Sequence, residues 1–402
     1  MASVAELDLP RFDTMTADVR GPAFHEAMLA LRESGSWLAA GPLAYTVLDR
    51  ESGEFFLRSK ATVFPGLRIA ELFGIDDGPL YDEMVRNIIN VNGDDHRRLR
   101  SLLNPALTPK AAERHRAGMR RIIGEILDGL PADGRIDFVD VAWRYPSLVI
   151  ADLVGVPLEM APKLYEWSSW IQKQFDPGAL GTERAEIEQR VVEFHEYAGG
   201  LIADRRANPG DDLTSALILA RDGSDRLDDD ELVNLVLDVI LGGIDTAQSQ
   251  LSHAVRLLAE HPEQWEALRA DPRGLAPSAV DEAFRYEPVT PFTARLTTEE
   301  VEHRDVTFPP DTLVAISSWH ANRDGDEAAD RFDISDRKRP RVLTFGAGIH
   351  YCVGANLARA ELEEALVALT ERYERIELDG EPEYGSISGI YGIDRLPVRL
   401  VV

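Results

Sequence analysis

The residues best suited to chemistry lie between positions 343 and 359, in the run Leu-Thr-Phe-Gly-Ala-Gly-Ile-His-Tyr-Cys-Val-Gly-Ala-Asn-Leu-Ala-Arg. Cys352, at its centre, is the only cysteine in the chain. Gly346 and Gly348 precede it, Gly354 follows it, and an apolar helix-forming run begins near Leu357. Glycines at this density let a backbone turn sharply and come close to a bulky group. N–H groups at the start of the helix can stabilise a thiolate, which is then either a nucleophile or a metal ligand. A lone cysteine is more often a small buried hydrophobe. The glycine frame is what argues for chemistry here.

A second group is Gly242-Gly243-Ile244-Asp245-Thr246, inside the longest helical pattern of the chain. Two consecutive glycines in a helix interior cost about 1 kcal/mol each relative to alanine. Close approach of a flat ligand would offset that. Asp245 and Thr246 could relay protons and hold a water beside a helix distortion. The plainer alternative is a satisfied core acid and a threonine bonded back to a carbonyl. Glu282 and Arg285 share one helix face, where a surface ion pair is common. His96 and Arg100 share another. With Arg295 and His350 they could bind anionic groups, arginine through its bidentate fork. Spacing alone does not bring these four together, and each by itself reads as a solvated charge.

The elements that must position these residues are mostly helices. The chain has 402 residues, 44% of them hydrophobic, which is ample for a large core. A formal net charge of −27 argues against nucleic acid as a general partner and favours solubility. One cysteine fits a reducing compartment and excludes an intrachain disulfide framework. The N-terminus has no basic start and no apolar h-region, and no stretch reads as a membrane span. Phe24 to Ser34 reads as a helix. Ala44 to Leu48 and Glu54 to Leu57 read as short β-like runs around a turn at Ser52-Gly53. Residues 61 to 93 read as a long structured loop with short helices, a common place for binding segments.

Asp94 or Asp95 can cap a helix ended by Pro105, and Thr108-Pro109 opens the next. Between Arg97 and Arg121 stand eight Lys/Arg and one acid, Glu113. That local reversal of sign is either a solvated helix face or a docking surface for an acidic partner. A turn at Asp222-Gly-Ser-Asp leads into the helix from Asp228 to Glu260, about 45 Å long at 1.5 Å per residue. Its first half is apolar nearly all round and should be buried. Residues 292 to 318 alternate as strands do, Ala355 to Tyr373 is helical, and the tail returns to short strands. No repeat or linker divides the chain. A single mainly α unit with small β-sheets is expected.

Taken together, these residues resemble the cytochrome P450 family, haem-thiolate monooxygenases of the soluble bacterial type. The resemblance covers essentially the whole chain. Phe345, Gly348, His350, Cys352 and Gly354 fill the family's haem-binding signature. Gly242, Gly243, Asp245 and Thr246 match its oxygen-activating helix segment. Glu282 and Arg285 match its Glu-x-x-Arg pair, and Arg331 before Phe332 matches the meander arginine that joins this structural clamp. The departures are Gly325, where a proline is usual nearby, and Ala247, where a second threonine is frequent.

The resemblance implies a single P450 domain over residues 1–402, with no fused reductase or ferredoxin. Haem b would lie between the long central helix and the Cys352 loop. Cys352 would be the metal ligand. His96, Arg100, Arg295 and His350 would bind the haem propionates, and Phe345, Gly346 and Gly243 would contact the cofactor. Asp245 and Thr246 would deliver protons. Leu241, Ile244, Val289, Phe292 and Ile390 would line an apolar substrate pocket; no charged residue stands out as an anchor there, although Arg68 and Arg86 could serve. The implied reaction inserts one atom of O2 into a small hydrophobic molecule: a terpenoid, steroid, fatty acid or aromatic compound. Electrons would come from an acidic ferredoxin and its NAD(P)H-dependent reductase. The ferredoxin would dock on the Arg97–Arg121 segment and the Cys352 loop, joined by Arg337, Lys338, Arg339 and Arg341. A cytoplasmic monomer without membrane or nucleic-acid partners is expected. The rival readings are a peroxide-driven haem-thiolate enzyme and a non-catalytic haem protein.

Overall fold

The computed structural model of the protein describes residues 2–14, 19–220, 227–325, 328–336 and 340–402. The expected turn at 222–225 and the basic residues Arg337, Lys338 and Arg339 lie outside the described residues. The helices are, in order, α1 Pro22–Glu33, α2 Arg50–Arg58, α3 Gly66–Leu72, α4 Gly78–Arg86, α5 Gly93–Leu103, α6 Pro109–Asp128, α7 Phe138–Val154, α8 Ala161–Ile171, α9 Pro177–Thr182, α10 Arg184–Ala207, α11 Leu213–Ala220, α12 Asp229–Glu260, α13 Pro262–Ala270, α14 Pro272–Tyr286, α15 Ser318–Ala321 and α16 Ala355–Arg372. The mainly α reading with small sheets holds.

Local chemistry starts these helices where the sequence allows it. The Asp228 carboxylate accepts the Glu231 N–H at 2.7 Å, and Glu231 accepts the Asp228 N–H at 3.1 Å. This capping box opens the 32-residue α12. Thr108 accepts the Ala111 N–H at 3.2 Å and Pro109 takes the first position of α6. In α5 the cap is Asn92, not an aspartate. Asp94 and Asp95 instead sit in the first turn, where they face the positive end of the helix dipole.

One expectation fails nearby. Glu54 to Leu57 is not a strand but the middle of α2. Asp49 caps it by accepting the Ser52 N–H at 2.8 Å, and Arg50 pairs with Glu54 at 3.1 Å, four residues on. A short aromatic run carries no periodicity that separates strand from helix.

The largest sheet has five strands in the order Leu38–Ala40, Tyr45–Val47, Leu313–Ser317, Phe292–Thr297 and Thr62–Val63. Phe292 pairs with Ser317 and Arg295 with Val314 in antiparallel register. Alternation therefore puts Thr293 and Arg295 on one face and Phe292 and Ala294 on the other.

At the centre runs α12, packed most closely on α7 and flanked by α8, α14 and α16. Among the described residues it is the one helix long and apolar enough to cross a membrane, and 67% of its most apolar window is buried inside the protein. It is the axis of the main core. Ile150, Val236, Leu237, Ile240, Val255 and Leu366 belong to that core.

Candidate active site

The Cys352 loop is shaped by its glycines. Gly346 and Gly348 have φ of +68° and +74°, a region that costs little only without a Cβ. A Cβ on Gly348 would stand 2.5 Å from the Leu57 carbonyl oxygen at the end of α2. The Cys352 N–H donates to the Phe345 carbonyl at 3.0 Å, closing the loop on itself. Phe345 packs on Phe284 of α14 at 4.6 Å, with the Arg359 guanidinium 4.5 Å from its ring. The thiol then meets the start of α16. Burial pushes Cys352 up; the N–H groups of Gly354 and Ala355 and the charges of Arg100 and Arg359 pull it back. These are the groups that would favour a thiolate beside a metal cation.

The four scattered basic residues do converge. The His96 and His350 rings are 4.5 Å apart, and His350 Nε2 lies 3.3 Å from Asn92 Oδ1. Arg100 donates to the Tyr351 carbonyl, and to Asn104 Oδ1 at 3.2 Å. Among the described residues Arg295 donates only to the carbonyl of its neighbour Ala294, at 2.8 Å. Burial, then the positive fields of His96, Arg295 and Arg100, push His350 down to about 3. Burial alone pushes Arg295 down to about 10. Among the described residues no carboxylate pairs with any of the four. Buried cations without a counter-ion are costly. The arrangement fits an anionic group carried by something larger, as two carboxylates on a macrocycle would be.

On α12 the two glycines divide the work differently from expectation. A Cβ on Gly243 would stand 2.4 Å from Ile150 Cδ1 of α7, so Gly243 serves helix packing. Gly242 is the glycine whose Cβ position is open. No distortion is present: α12 is regular helix from Asp229 to Glu260. The Thr246 hydroxyl donates to the Gly242 carbonyl at 2.6 Å, the plainer of the two arrangements expected for it. Asp245 Oδ1 accepts from Ser169 Oγ of α8 at 3.0 Å. Burial pushes the Asp245 carboxyl up to about 7 and the Ser169 hydrogen bond tempers the rise. Ser169 was not legible in the sequence, because nothing local ties α8 to α12.

Glu282 and Arg285 form a buried clamp, not a surface pair. Arg285 Nε and Nη2 donate to the two Glu282 oxygens at 2.7 and 2.9 Å. Arg285 also donates to the carbonyls of Ala329 (2.8 Å) and Arg331 (2.9 Å), and the Asp333 N–H donates to Glu282 at 2.8 Å. Arg331 therefore joins the clamp through its main chain; its side chain is 74% exposed and lies 4.0 Å from Asp333. A buried arginine that sequence reading passed over is Arg323. It stacks over Trp319 at 3.9 Å and donates to the Tyr286 carbonyl at 2.8 Å. The Trp319/Arg323 spacing of four was the available signal.

The expected pocket residues lie in different surroundings. Leu241, Ile244 and Val289 are buried in packed protein. Phe292 points to the far face of its strand, against Phe12 (5.6 Å) and Phe24 (6.3 Å). Thr293 shares the face of Arg295. Ile390 is partly exposed, in the segment where Gly389 approaches Asp176. Phe64 and Phe175 meet edge to face at 6.0 Å. A cleft of about 460 Å³ runs from Arg68, Glu71 and Asp311 past Phe64 and Leu67 to Asn92, the partner of His350. Arg68 pairs with Glu71 (2.9 Å) and Arg86 with Asp230 (3.4 Å), so both candidate anchors are already engaged.

The basic stretch is also less free than its composition suggests. Arg116 pairs with Glu113, Glu363 and Glu364, Arg120 with Glu364, Arg121 with Glu125 and Arg98 with Glu231. Arg116 and Arg120 tie α6 to α16.

Comparison with known proteins agrees with this site. The cytochrome P450 family profile matches residues 167–384. The chain is 35% identical to luteothin monooxygenase of Streptomyces thioluteus over 90% of each chain. It is 37% identical to 6-deoxyerythronolide B hydroxylase of Saccharopolyspora erythraea over 80% of each. Its fold superposes on the crystal structure of CalO2 with a TM-score of 0.88 at 28% identity, covering 98% of this chain and 99% of that one. It superposes on a mutant of EryK in complex with erythromycin B with a TM-score of 0.82 at 30% identity, covering 94% and 96%. The chain belongs to the cytochrome P450 family, oxidoreductases whose cofactor is haem b.

Proposed function

We propose that this P450 monooxygenase, acting as a single 402-residue domain, inserts one oxygen atom of O2 into a small hydrophobic molecule. We further propose that its electrons come from a separate ferredoxin and NAD(P)H-dependent reductase. The observation that carries the reading is the pairing of two half-sites. A thiol is cradled by the N–H groups of Gly354 and Ala355, and the four basic groups beside it pair with no carboxylate among the described residues. Bound there, haem supplies the binding and activation of O2.

The chain supplies the rest. Cys352 Sγ would ligate the metal as a thiolate, its charge spread toward two backbone N–H groups and Arg100. Arg295, Arg100, His96 and His350 would hold the propionates, which would relieve the desolvation of Arg295. Thr246, whose hydroxyl donates to the Gly242 carbonyl at 2.6 Å, would supply a hydroxyl that can hold or pass a proton on the α12 side of the cofactor. Asp245, titrating near neutrality, can both hold and give up a proton. Phe64, Phe175 and Leu67 give the entry an apolar lining. Arg341, stacked over Tyr351 at 4.2 Å, and the 53%-exposed Ile349 offer a partner the surface over the Cys352 loop.

The peroxide-driven alternative has no need of Asp245 and Thr246. The test is turnover of a hydrophobic compound panel with ferredoxin, reductase and NAD(P)H against hydrogen peroxide alone. Product formed only in the first arm supports the proposal. Equal turnover with peroxide alone overturns it.

A further inference from the structure

Where α4 lies on α12, the fold holds two carboxyl groups close together. Asn87 Nδ2 donates to Glu83 Oε1 at 2.9 Å, and the N–H of the next residue, Ile88, donates to Asp238 Oδ2 of α12 at 3.1 Å. Bonds from adjacent residues thus bring Glu83 and Asp238 to one place. Among the described residues no Lys or Arg pairs with either acid, and Arg86 of the same α4 turns instead to Asp230. Glu83 is fully buried, and its Oε2 has no partner among the described residues. Gln174, in the turn Gln172–Phe175 after α8, is 1% exposed; its amide comes up to Glu83 without closing a hydrogen bond, and both amide atoms stay unpartnered. Buried polar groups normally find partners, so orphans from two elements at one spot point to a polar ligand. Asp238 also faces the reaction space. It keeps some accessible surface although α4 packs over α12. Positions four apart share a helix face. Asp238 therefore stands in line with Gly242, whose Cβ position is open, and with Thr246. Eight residues of helix put it about 12 Å from Thr246 along α12.

We propose that Asp238 and Glu83 anchor a protonated amine on the substrate, leaving its apolar part to extend along α12 toward Thr246. This rests on the monooxygenase reading above and narrows its substrate to a hydrophobic amine, oxidised at a carbon roughly 12 Å from the nitrogen. The chemistry of the site selects the cation. Two carboxyl groups offer acceptors, and an isolated buried carboxylate is costly unless a cation neutralises it. Burial raises Glu83 to about 7 and raises Asp238 further with help from the field of Glu83, as expected of an acid pair without a counter-ion. An ammonium group donates charge-assisted hydrogen bonds and cancels that charge. A hydroxyl donates one bond and leaves the charge in place; a carboxylate is repelled. Gln174 can turn its amide oxygen to the same donor, and it adjoins Phe175 of the apolar entry. Asp238 and Glu83 touch the substrate at a distance from the reacting atoms, so they set specificity and the position of attack.

The experiment uses the haem-loaded enzyme and three probes of one chain length: N,N-dimethyldodecylamine, dodecanol and dodecanoic acid, all below micelle-forming concentrations. Binding is read by the low-to-high-spin shift and by calorimetry, and the oxidised position by product analysis with the redox proteins. Wild type should bind the amine about 10- to 100-fold more tightly than the alcohol, the range of a charge-assisted hydrogen bond, and the acid most weakly. Asp238→Asn and Glu83→Gln keep the shape and remove a charge. Each should erase most of the amine's lead while the alcohol binds as before, and Asp238→Asn should spread oxidation over more positions of the amine. The carbon monoxide difference band shows that each variant holds haem in a folded protein. Equal binding of amine and alcohol by wild type refutes the anchor, as does an amine lead that survives in Asp238→Asn. So does a nitrogen-ligated Soret band with the amine, which would put the nitrogen on the iron. In each of these cases turnover of dodecanol or dodecanoic acid with the redox proteins would leave the monooxygenase reading standing. If the amine lead is found and lost as predicted but no probe is ever oxidised, the anchor stands and the monooxygenase reading is what fails.

Discussion

Replacing Arg295 by leucine should have opposite effects on the protein with and without its cofactor. Without an anion, the guanidinium is buried with one partner, the adjacent Ala294 carbonyl. Burial holds it at about 10 instead of 12.5. At about 1.4 kcal/mol for each tenfold in proton affinity, that corresponds to about 3 kcal/mol of unrelieved desolvation. Leucine removes the charge and keeps an apolar stem in the sheet. An unfolding entropy of about 2 cal/mol/K per residue makes roughly 0.8 kcal/mol/K for a chain of this length, so the haem-free variant should melt about 4 °C higher. With haem, the variant loses a charge-assisted hydrogen bond worth about 1.5–3 kcal/mol, and haem should be held about 10- to 100-fold less tightly. The assays are thermal unfolding of the haem-free protein at fixed scan rate and haem transfer to an excess acceptor protein, followed at the Soret band. A variant that destabilises the haem-free protein, or that holds haem as tightly as wild type, refutes the anion-site argument.

Other consequences follow from the same geometry. Gly348→Ala forces a Cβ into positive φ and against the Leu57 carbonyl, so holoprotein stability should fall by more than about 1 kcal/mol in denaturant titration. Gly243→Ala should be similarly harmful, and Ile150→Ala in the same chain should rescue part of the loss if Gly243 serves packing. Glu287 lies buried between Arg256 (2.7 Å) and His25 (2.8 Å); burial alone would raise it, but His25 and Arg256 hold it well below the usual carboxylate range. Glu287→Gln should cost about 3–5 kcal/mol at neutral pH, and the gap from wild type should close as pH falls below the ordinary carboxyl value near ~4.3. Asp245 has the opposite sign. Raised to about 7 in the fold, it costs stability increasingly as pH climbs from its ordinary value toward 7. Asp245→Asn should therefore gain on wild type between pH 5 and pH 8, as read from urea midpoints at about those two values.

The sequence carried the local features well, because each is fixed by neighbours in the chain. The Gly346/Gly348 turns, the Thr108 and Asp228 caps and the length of α12 follow from residues within a few positions. What it carried poorly depended on register or on distant partners. Phe292 and Thr293 differ by one place, and the strand's pairing decides which of them shares the face of Arg295. That Gly243 also packs against Ile150, 93 residues earlier in the chain, could not be read locally. Arg331 matched a side-chain role that its carbonyl performs, while Arg323 took the buried position. The Arg97–Arg121 segment looked free because Glu363 and Glu364 are remote in sequence.

The most direct test concerns Cys352. Reduced protein exposed to carbon monoxide should show the red-shifted Soret band of thiolate-ligated haem, and Cys352→His should keep haem while losing that band. A folded, haem-loaded wild-type protein whose reduced carbon monoxide complex shows only the unshifted band of imidazole ligation would contradict the account at its centre.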